Sequence, residues 1–388
     1  MPLSFENTEI AFSSQSDGEL KKSYWLFKLV GNPSFVSIGK GLTNIALAIY
    51  FPIKWIIKPT IFKHFCGGET VEESRKKVEE LGKFHIKSIL DYSIEGKHSE
   101  KDFDKCTEEI ISIIREGEKN KNIGFAVFKP TGIARFALLE KAGTASTLLQ
   151  TEKKEFDRVR ERFNKICKAA HDAALPVFVD AEESWIQNAV DDLVNEMMTL
   201  YNKEKAIVFN TFQMYRNDRL EYLIDCFTKA KNNNYFLGAK LVRGAYMEKE
   251  RARAEKMNYS SPINETKEIT DMHYDSALRF CMEHLDKISF CCASHNEQSA
   301  TLLINLMKEK SIQNDHSHIF FSQLLGMSDH ISYNLAAAGY NVSKYVPYGP
   351  VRDVIPYLIR RAQENTSVKG QTGRELSLIV KEMERRRK

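Results

Sequence analysis

The sequence predicts an α/β fold, a (β/α)8 barrel preceded by a helical extension, and three observations predict it. From about residue 85 onward, short runs of β-branched and aromatic residues alternate with longer amphipathic stretches, the pattern of βα units around a parallel sheet. The runs number eight, the count that closes a barrel of this kind. Polar residues sit at or after the ends of most runs, where a parallel barrel gathers its function.

In order, the strands are expected at Lys87–Tyr92, Phe125–Lys129, Pro176–Asp180, Ala206–Thr211, Leu237–Val242, Ile288–Ala293, His318–Phe321 and Lys344–Tyr348. Between them, apolar spacings of three and four mark helices, among them Phe156–Ala174, Ile186–Tyr201, Leu220–Lys231, Ala300–Lys308 and Val351–Gln363. An open doubly wound sheet is the competing architecture, and the strand count favours the closed one. With 388 residues the chain exceeds the roughly 250 that such a barrel needs. Residues 1–80, mostly helical by pattern, read as an arm wrapping a barrel of residues 81–388, and the terminal RRRK reads as a solvated tail.

Composition narrows the class. Hydrophobic residues at 43% and charged residues at 28% are those of an ordinary globular protein. A net charge of +4, set against 56 basic and 52 acidic side chains, gives no footprint for nucleic acid. Seven cysteines without a C-x-x-C argue against a disulfide framework and a zinc knuckle, and fit a reducing compartment. The start MPLSFENTEI lacks the features of a secretory or transit signal, so cytoplasmic residence is expected. Asn44–Phe62 is apolar but broken by Pro52, Lys54, Lys58 and Pro59. It reads as a packed helical arm or an interfacial membrane contact more readily than as a span. The G-x-G-x-x-G, P-loop and H-E-x-x-H motifs are all missing, which speaks against a Rossmann site, a P-loop and a zincin; no metal site is expected.

The candidate rim consists of Asp91, Lys129, Asp180, Gln213, Arg243 with Tyr246, Ser294-His295-Asn296, Gln323 and Tyr345. Any one of these alone reads as a satisfied structural residue, whereas a supply from nearly every strand points to a mouth. Lys240 lies inside the apolar run AKLV, where an ammonium needs a partner. It could be a Schiff-base nucleophile, a cation at the edge of a reduced flavin, or a snorkelling edge lysine. In YLIRRAQEN, residues 357, 361 and 364 share a helical face and Arg360 lies about 100° from Arg361. Two guanidinium groups could therefore grip one carboxylate; an exposed Arg360–Glu364 pair is the plainer alternative.

Seven segments, FAVFKPTG, VFVDAEESW, FNTFQMYR, GAKLVRGAYMEKERARA, ASHN, FSQLLGM and YVPYGPVRDVIPYLIRRAQENTS, occur in this order between roughly Phe62 and Val368. As a set they resemble the proline dehydrogenase family. The resemblance implies an FAD-dependent oxidation of L-proline to 1-pyrroline-5-carboxylate, with electrons passed to a quinone and a peripheral membrane contact. It implies catalytic roles for Asp180, Lys240 and Arg243. Lys129, Arg360 and Arg361 would bind the proline carboxylate, with Tyr246, Leu324, Tyr345 and Tyr357 around the ring. Ala181, Gln213, Lys240, Val242, Arg243, Gly244, Ala245, Ser294, His295 and Asn296 would hold FAD, and Glu364 would pair the basic groups of the clamp near it. Bifunctional bacterial members resemble this chain but carry Arg at the position of Lys240, in RLVKGAY against KLVRGAY here, which retains a cation near the flavin. Hydroxyproline dehydrogenases of the family tend to be smaller where this chain has Tyr345, so the tyrosine favours proline. The alternatives are hydroxyproline oxidation, a Schiff-base barrel lyase using Lys240, and a non-catalytic binding or scaffold protein built on a barrel.

Overall fold

In a computed structural model that describes residues 3–31, 57–93, 99–144, 147–367 and 371–388, eight parallel strands close into a barrel in sequence order. They are β1 (Ile86–Tyr92), β2 (Ile123–Phe128), β3 (Val177–Val179), β4 (Val208–Gln213), β5 (Leu237–Val242), β6 (Ile288–Ala293), β7 (Ile319–Leu324) and β8 (Val342–Tyr348). All eight expected runs form strands. A parallel sheet with both faces covered selects near-continuous apolar runs, and β4 and β8 are buried along their whole length. The expected ends shift for local reasons. At β4 the buried Asn202 accepts from the backbone N–H of Ile207 and Val208 at 2.9 and 2.8 Å, so a side chain stands in for the ladder and the strand starts late.

Fourteen helices are named here: α1 (Thr8–Ala11), α2 (Asp17–Val30), α3 (Val71–Gly82), α4 (Glu100–Lys119), α5 (Phe136–Ala142), α6 (Gln150–Asp172), α7 (Ser184–Tyr201), α8 (Arg219–Asn232), α9 (Met247–Met257), α10 (Lys267–Glu283), α11 (Glu297–Glu309), α12 (Asp329–Ala337), α13 (Val351–Ser367) and α14 (Gln371–Arg385). The amphipathic stretches expected near α7, α8, α11 and α13 lie in these helices, and the one expected at Phe156–Ala174 runs two residues past the end of α6. Their termini are set by capping: Asn296 accepts from the backbone N–H of Gln298 and Ser299 at the start of α11, and Thr70 caps α3 through Glu73.

The chain divides into two compact units, residues 1–95 with 323–388, and residues 96–322. In the second unit, an aromatic cluster fills the strand interior. Phe125 stacks on Phe178 at 4.3 Å, and Phe209 and Phe320 meet Phe125 edge-on at 5.8 and 4.9 Å. The register sets Thr211 beside Lys240 and Lys240 beside Cys291. In the first unit, β1 pairs with β8 from Ile86–Val342 to Tyr92–Tyr348. Outside these strands, α1, α2 and α14 share an apolar cluster of Ala11, Phe12, Leu20, Phe27, Leu378 and Ile379.

The expected solvated tail agrees with the exposed Arg385, Arg387 and Lys388, and only the half-buried Arg386 departs from it. Arg386 donates to Glu382 at 2.7 Å, to Asp17 at 2.9 Å and to the Phe12 carbonyl at 2.8 Å, and Arg385 also donates to Glu382. The cause is Glu382, a fully buried carboxylate whose charge needs cations beside it. Of the apolar stretch Asn44–Phe62, residues 44–56 lie outside the described ones. At its other end Phe62 is buried with Phe65 and Cys66, and Lys58 pairs with Glu69 at 2.5 Å. No helix among the described residues is long and apolar enough to cross a membrane. All seven cysteines are buried and free.

Candidate active site

In the unit of residues 96–322, polar side chains gather at the C-terminal ends of β2 to β6. Asp180, just past β3, accepts from the Lys240 ammonium at 2.6 Å through Oδ1, while Lys129, just past β2, stands 3.8 Å from Oδ2. Lys240 projects from β5 over the Phe178 ring at 5.3 Å and has 8% of its side chain exposed. A buried cation is thus held by a carboxylate and an aromatic face, which answers the need for a partner. The backbone fixes the carboxylate's position: the Asp180 N–H donates to the Phe128 carbonyl at 3.0 Å, and Thr211 Oγ1 donates to the Val179 carbonyl at 2.7 Å. Ala181 follows, half-buried.

A second cation is held from several sides. Arg243 donates to Asp271 at 2.7 Å, to Ser294 Oγ at 2.8 Å and to Ser299 Oγ at 3.0 Å, with its guanidinium 4.4 Å from the Tyr274 ring. The pair Arg243–Ser294 ties the end of β5 to the end of β6. Asn296 donates its backbone N–H to the same Ser294 oxygen at 3.1 Å, and His295 is half-buried between them. Val242 ends β5 half-buried, and Gly244 and Ala245 are exposed. Gly244 has a φ of +135°, and a Cβ there would come within 2.5 Å of the Tyr215 ring, so both backbone and space require glycine. Tyr246 is half-buried, with the Lys249 ammonium 5.4 Å above its ring.

Glu182 was not among the residues singled out from the sequence, although it lies inside the VFVDAEESW segment. It is buried and accepts from the Thr131 N–H at 3.0 Å and hydroxyl at 2.6 Å, joining the β3 end to the β2 end. Burial pushes its carboxyl up to about 7 against the pull of those two donors. Its carbonyl accepts from Gln213 Nε2 at 2.7 Å. Two residues on, Ser184 donates its N–H and hydroxyl to the fully buried Glu250 of α9, each at 2.6 Å. The EESW segment is therefore fastened on three sides.

In the unit of residues 1–95 and 323–388, α13 presents Tyr357 and Arg361 on one buried face, with the guanidinium 5.3 Å from the ring; Arg360 is half-buried. The face shared by 357 and 361 agrees with the helical spacing. The side chain of Glu364 lies outside the described residues. Tyr357 belongs to a cluster with Met327, Val354 and Leu358, and the half-buried Leu324 packs against it. Tyr345 is buried on β8, and its carbonyl accepts from the Leu325 N–H at 2.9 Å. At the ends of β1 and β7, Asp91 accepts from Ser93 and Gln323 from Ser332, so both are also held structurally. Lys344, next to Tyr345, is fully buried and was missed, though it carries the signal that marked Lys240: a lysine inside an apolar run.

Among the described residues no group of three or more His, Cys, Asp or Glu could hold a metal ion. A family model described as proline dehydrogenase matches residues 74–374. A relative from Dictyostelium discoideum named proline dehydrogenase 1, mitochondrial, is 33% identical over 98% of this chain and 74% of its own length. The human protein of that name is 40% identical over 62% of this chain and 41% of its own. A Pectobacterium carotovorum protein named carbapenem antibiotics biosynthesis protein CarD is 34% identical over 83% of both. Among solved structures, proline utilization A from Bdellovibrio bacteriovorus superimposes with a TM-score of 0.73 at 18% identity, which supports the fold. The alignment covers 93% of this chain and 38% of that one.

Proposed function

We propose that this chain, which belongs to the proline dehydrogenase family, oxidises L-proline to 1-pyrroline-5-carboxylate with FAD as hydride acceptor and a quinone as the final acceptor. The observation that carries the reading is the Lys129–Asp180–Lys240 array at 3.8 and 2.6 Å, a charged cluster at the strand ends of a barrel whose family oxidises proline.

The donors present suit a flavin. Lys240 and Arg243 are fixed cations, and Gln213, Ser294 and Asn296 add polar groups on neighbouring strand ends. This set can meet carbonyl and pyrophosphate oxygens without a glycine-rich turn. Ala181, Val242, Gly244, Ala245 and His295 complete the proposed flavin contacts, with Glu364 beside the clamp. Bound FAD supplies the two-electron acceptor for a hydride leaving the proline ring carbon next to nitrogen.

The chain's own groups do the positioning. Arg360, Arg361 and Lys129 are assigned to the proline carboxylate, whose negative charge matches theirs. Tyr246, Leu324, Tyr345 and Tyr357 are assigned to the ring, and Asp180 holds Lys240 and Lys129 in place. Transfer requires a neutral amine and a reacting carbon about 3 to 3.5 Å from its acceptor, so orientation carries much of the catalysis. The positive surroundings assigned to the substrate lower the affinity of its nitrogen for a proton, favouring loss of that proton before transfer.

In this reading residues 1–80 are a helical arm and 81–388 the catalytic barrel. Tyr345 disfavours 4-hydroxyproline, and a Lys240 paired with Asp180 is poorly suited to act as a Schiff-base nucleophile. We place the chain in the cytoplasm at the inner face of a membrane, where a quinone is available; the mitochondrial names of its relatives make cell fractionation the test of location. The activity is tested by incubating the protein with L-proline and a soluble quinone and weighing the product. Loss of two hydrogens from proline supports the reading, and unchanged proline with a flavin-loaded protein refutes it.

A further inference from the structure

We infer that Lys344, a residue outside the assigned substrate contacts, is the positioning residue that sets this chain's discrimination between proline and ring-substituted prolines. The inference rests on the reading that Leu324 and Tyr345 enclose the substrate ring.

Lys344 is fully buried on β8. An ammonium has three donors and no acceptor, and burying it costs free energy unless all three are met. Here they are met by one turn: Nζ donates to the Met327 carbonyl at 2.6 Å, to the Asp329 carboxylate at 2.7 Å and to the Leu324 carbonyl at 3.3 Å. All three acceptors belong to the Leu324–Asp329 segment joining β7 to α12. One buried cation thus gathers both ends and the middle of that turn.

The rest of the turn is held as firmly. The Leu325 N–H donates to the Tyr345 carbonyl at 2.9 Å, and His64 Nε2 is 2.9 Å from the Gly326 carbonyl. Gly326 has a φ of +75°, and a Cβ there would lie 2.5 Å from the His64 carbonyl oxygen. The Ser328 N–H donates to the buried Glu375 of α14. Gln15, ahead of α2, donates to the other oxygen of Asp329 at 3.2 Å. Elements outside the barrel therefore converge on the turn, with Lys344 at its centre.

Tyr345 follows Lys344 directly, and successive residues of a strand face opposite ways. The strand that carries Tyr345 therefore also carries, on its other face, the cation that fixes Leu324. The spacing between two residues assigned to the ring is set by one lysine. Loosening it allows Leu324 to retreat and admits a larger ring.

The test compares kcat/KM for L-proline and trans-4-hydroxy-L-proline in the wild type, Lys344→Met and the milder Gln15→Ala, with hydrogen exchange at amides 325–329 measured alongside. In Lys344→Met the ratio is expected to fall roughly tenfold, the scale on which a site distinguishes one small group, with faster exchange across the turn. Gln15→Ala should move both readouts the same way by less, and it decides the matter if Lys344→Met does not fold. A ratio unchanged in a folded variant whose stability has dropped would overturn the inference, because a purely structural lysine lowers stability without touching selectivity. A wild type that does not oxidise L-proline would instead refute the activity reading. Unchanged exchange would then still overturn the role of Lys344 in holding the turn.

Discussion

Replacing Asp180 by Asn keeps the shape of the side chain and removes the charge that two lysines share. Oδ1 is 2.6 Å from Lys240 and Oδ2 is 3.8 Å from Lys129. At an effective dielectric of about 20 the gross attractions are roughly 6 and 4 kcal/mol, most of which offsets the cost of bringing the charges out of water. Net loss on breaking such a pair is therefore about 3 to 5 kcal/mol, and here two ammonium groups are left facing a neutral amide. Against a total stability of roughly 5 to 15 kcal/mol, the variant should unfold at a clearly lower urea concentration. Adding Lys240→Met should recover part of the loss, since it removes one of the two charges that Asp180 balances. The double-mutant cycle is expected to show a coupling of at least about 1.5 kcal/mol. A variant within about 0.5 kcal/mol of wild type and no coupling would refute the argument that Asp180 anchors Lys240.

Other substitutions probe separate parts of the account. Arg361→Met should weaken L-proline binding by about 2 to 5 kcal/mol, read as a raised KM, while flavin affinity measured by fluorescence stays unchanged. Gly244→Ala forces a side chain into a φ of +135° and onto the Tyr215 ring, so thermal unfolding should fall by several degrees and flavin should bind more weakly. Phe125→Ala removes the ring stacked at 4.3 Å on Phe178 and should cost about 3 to 5 kcal/mol in chemical denaturation. The Glu182 carboxyl is pushed from 4.5 to about 7, chiefly by burial. Between these values the folded chain keeps a proton that the unfolded chain has lost, so this group lowers stability as pH rises from about 4.5 to about 7, by roughly 3 kcal/mol in all. Glu182→Gln should remove that slope, which urea midpoints at pH 5 and pH 8 would show.

The barrel was legible because its strands are buried on both faces. Runs such as LGAKLV and ISFCCA carry no competing period, and the predicted β5 and β6 have the observed boundaries. Most other strand ends differ from the expected ones by one to three residues, and at the start of β4 the cause is Asn202, whose side chain takes the place of the ladder. In the site, Lys240 was marked by a charge in an apolar run, and its partner proved to be another marked residue, Asp180. Lys344 carries the same signal, and its partners come from the separate Leu324–Asp329 turn. Glu182 and Glu250 gave no local signal: each is a carboxylate among other charged residues, and its burial comes from the distant contacts Thr131 and Ser184. In the basic C-terminus, otherwise exposed as expected, one residue departs from the reading for the same reason. Arg386 reads as solvated until Glu382 is buried beside it.

The most direct measurement of the central claim is an anaerobic absorbance spectrum of the flavin-loaded protein before and after L-proline, followed at the oxidised flavin band near roughly 450 nm. The account predicts bleaching by L-proline and little response to hydroxyproline. A flavin that stays oxidised with L-proline present, or a protein that binds no flavin, would contradict it.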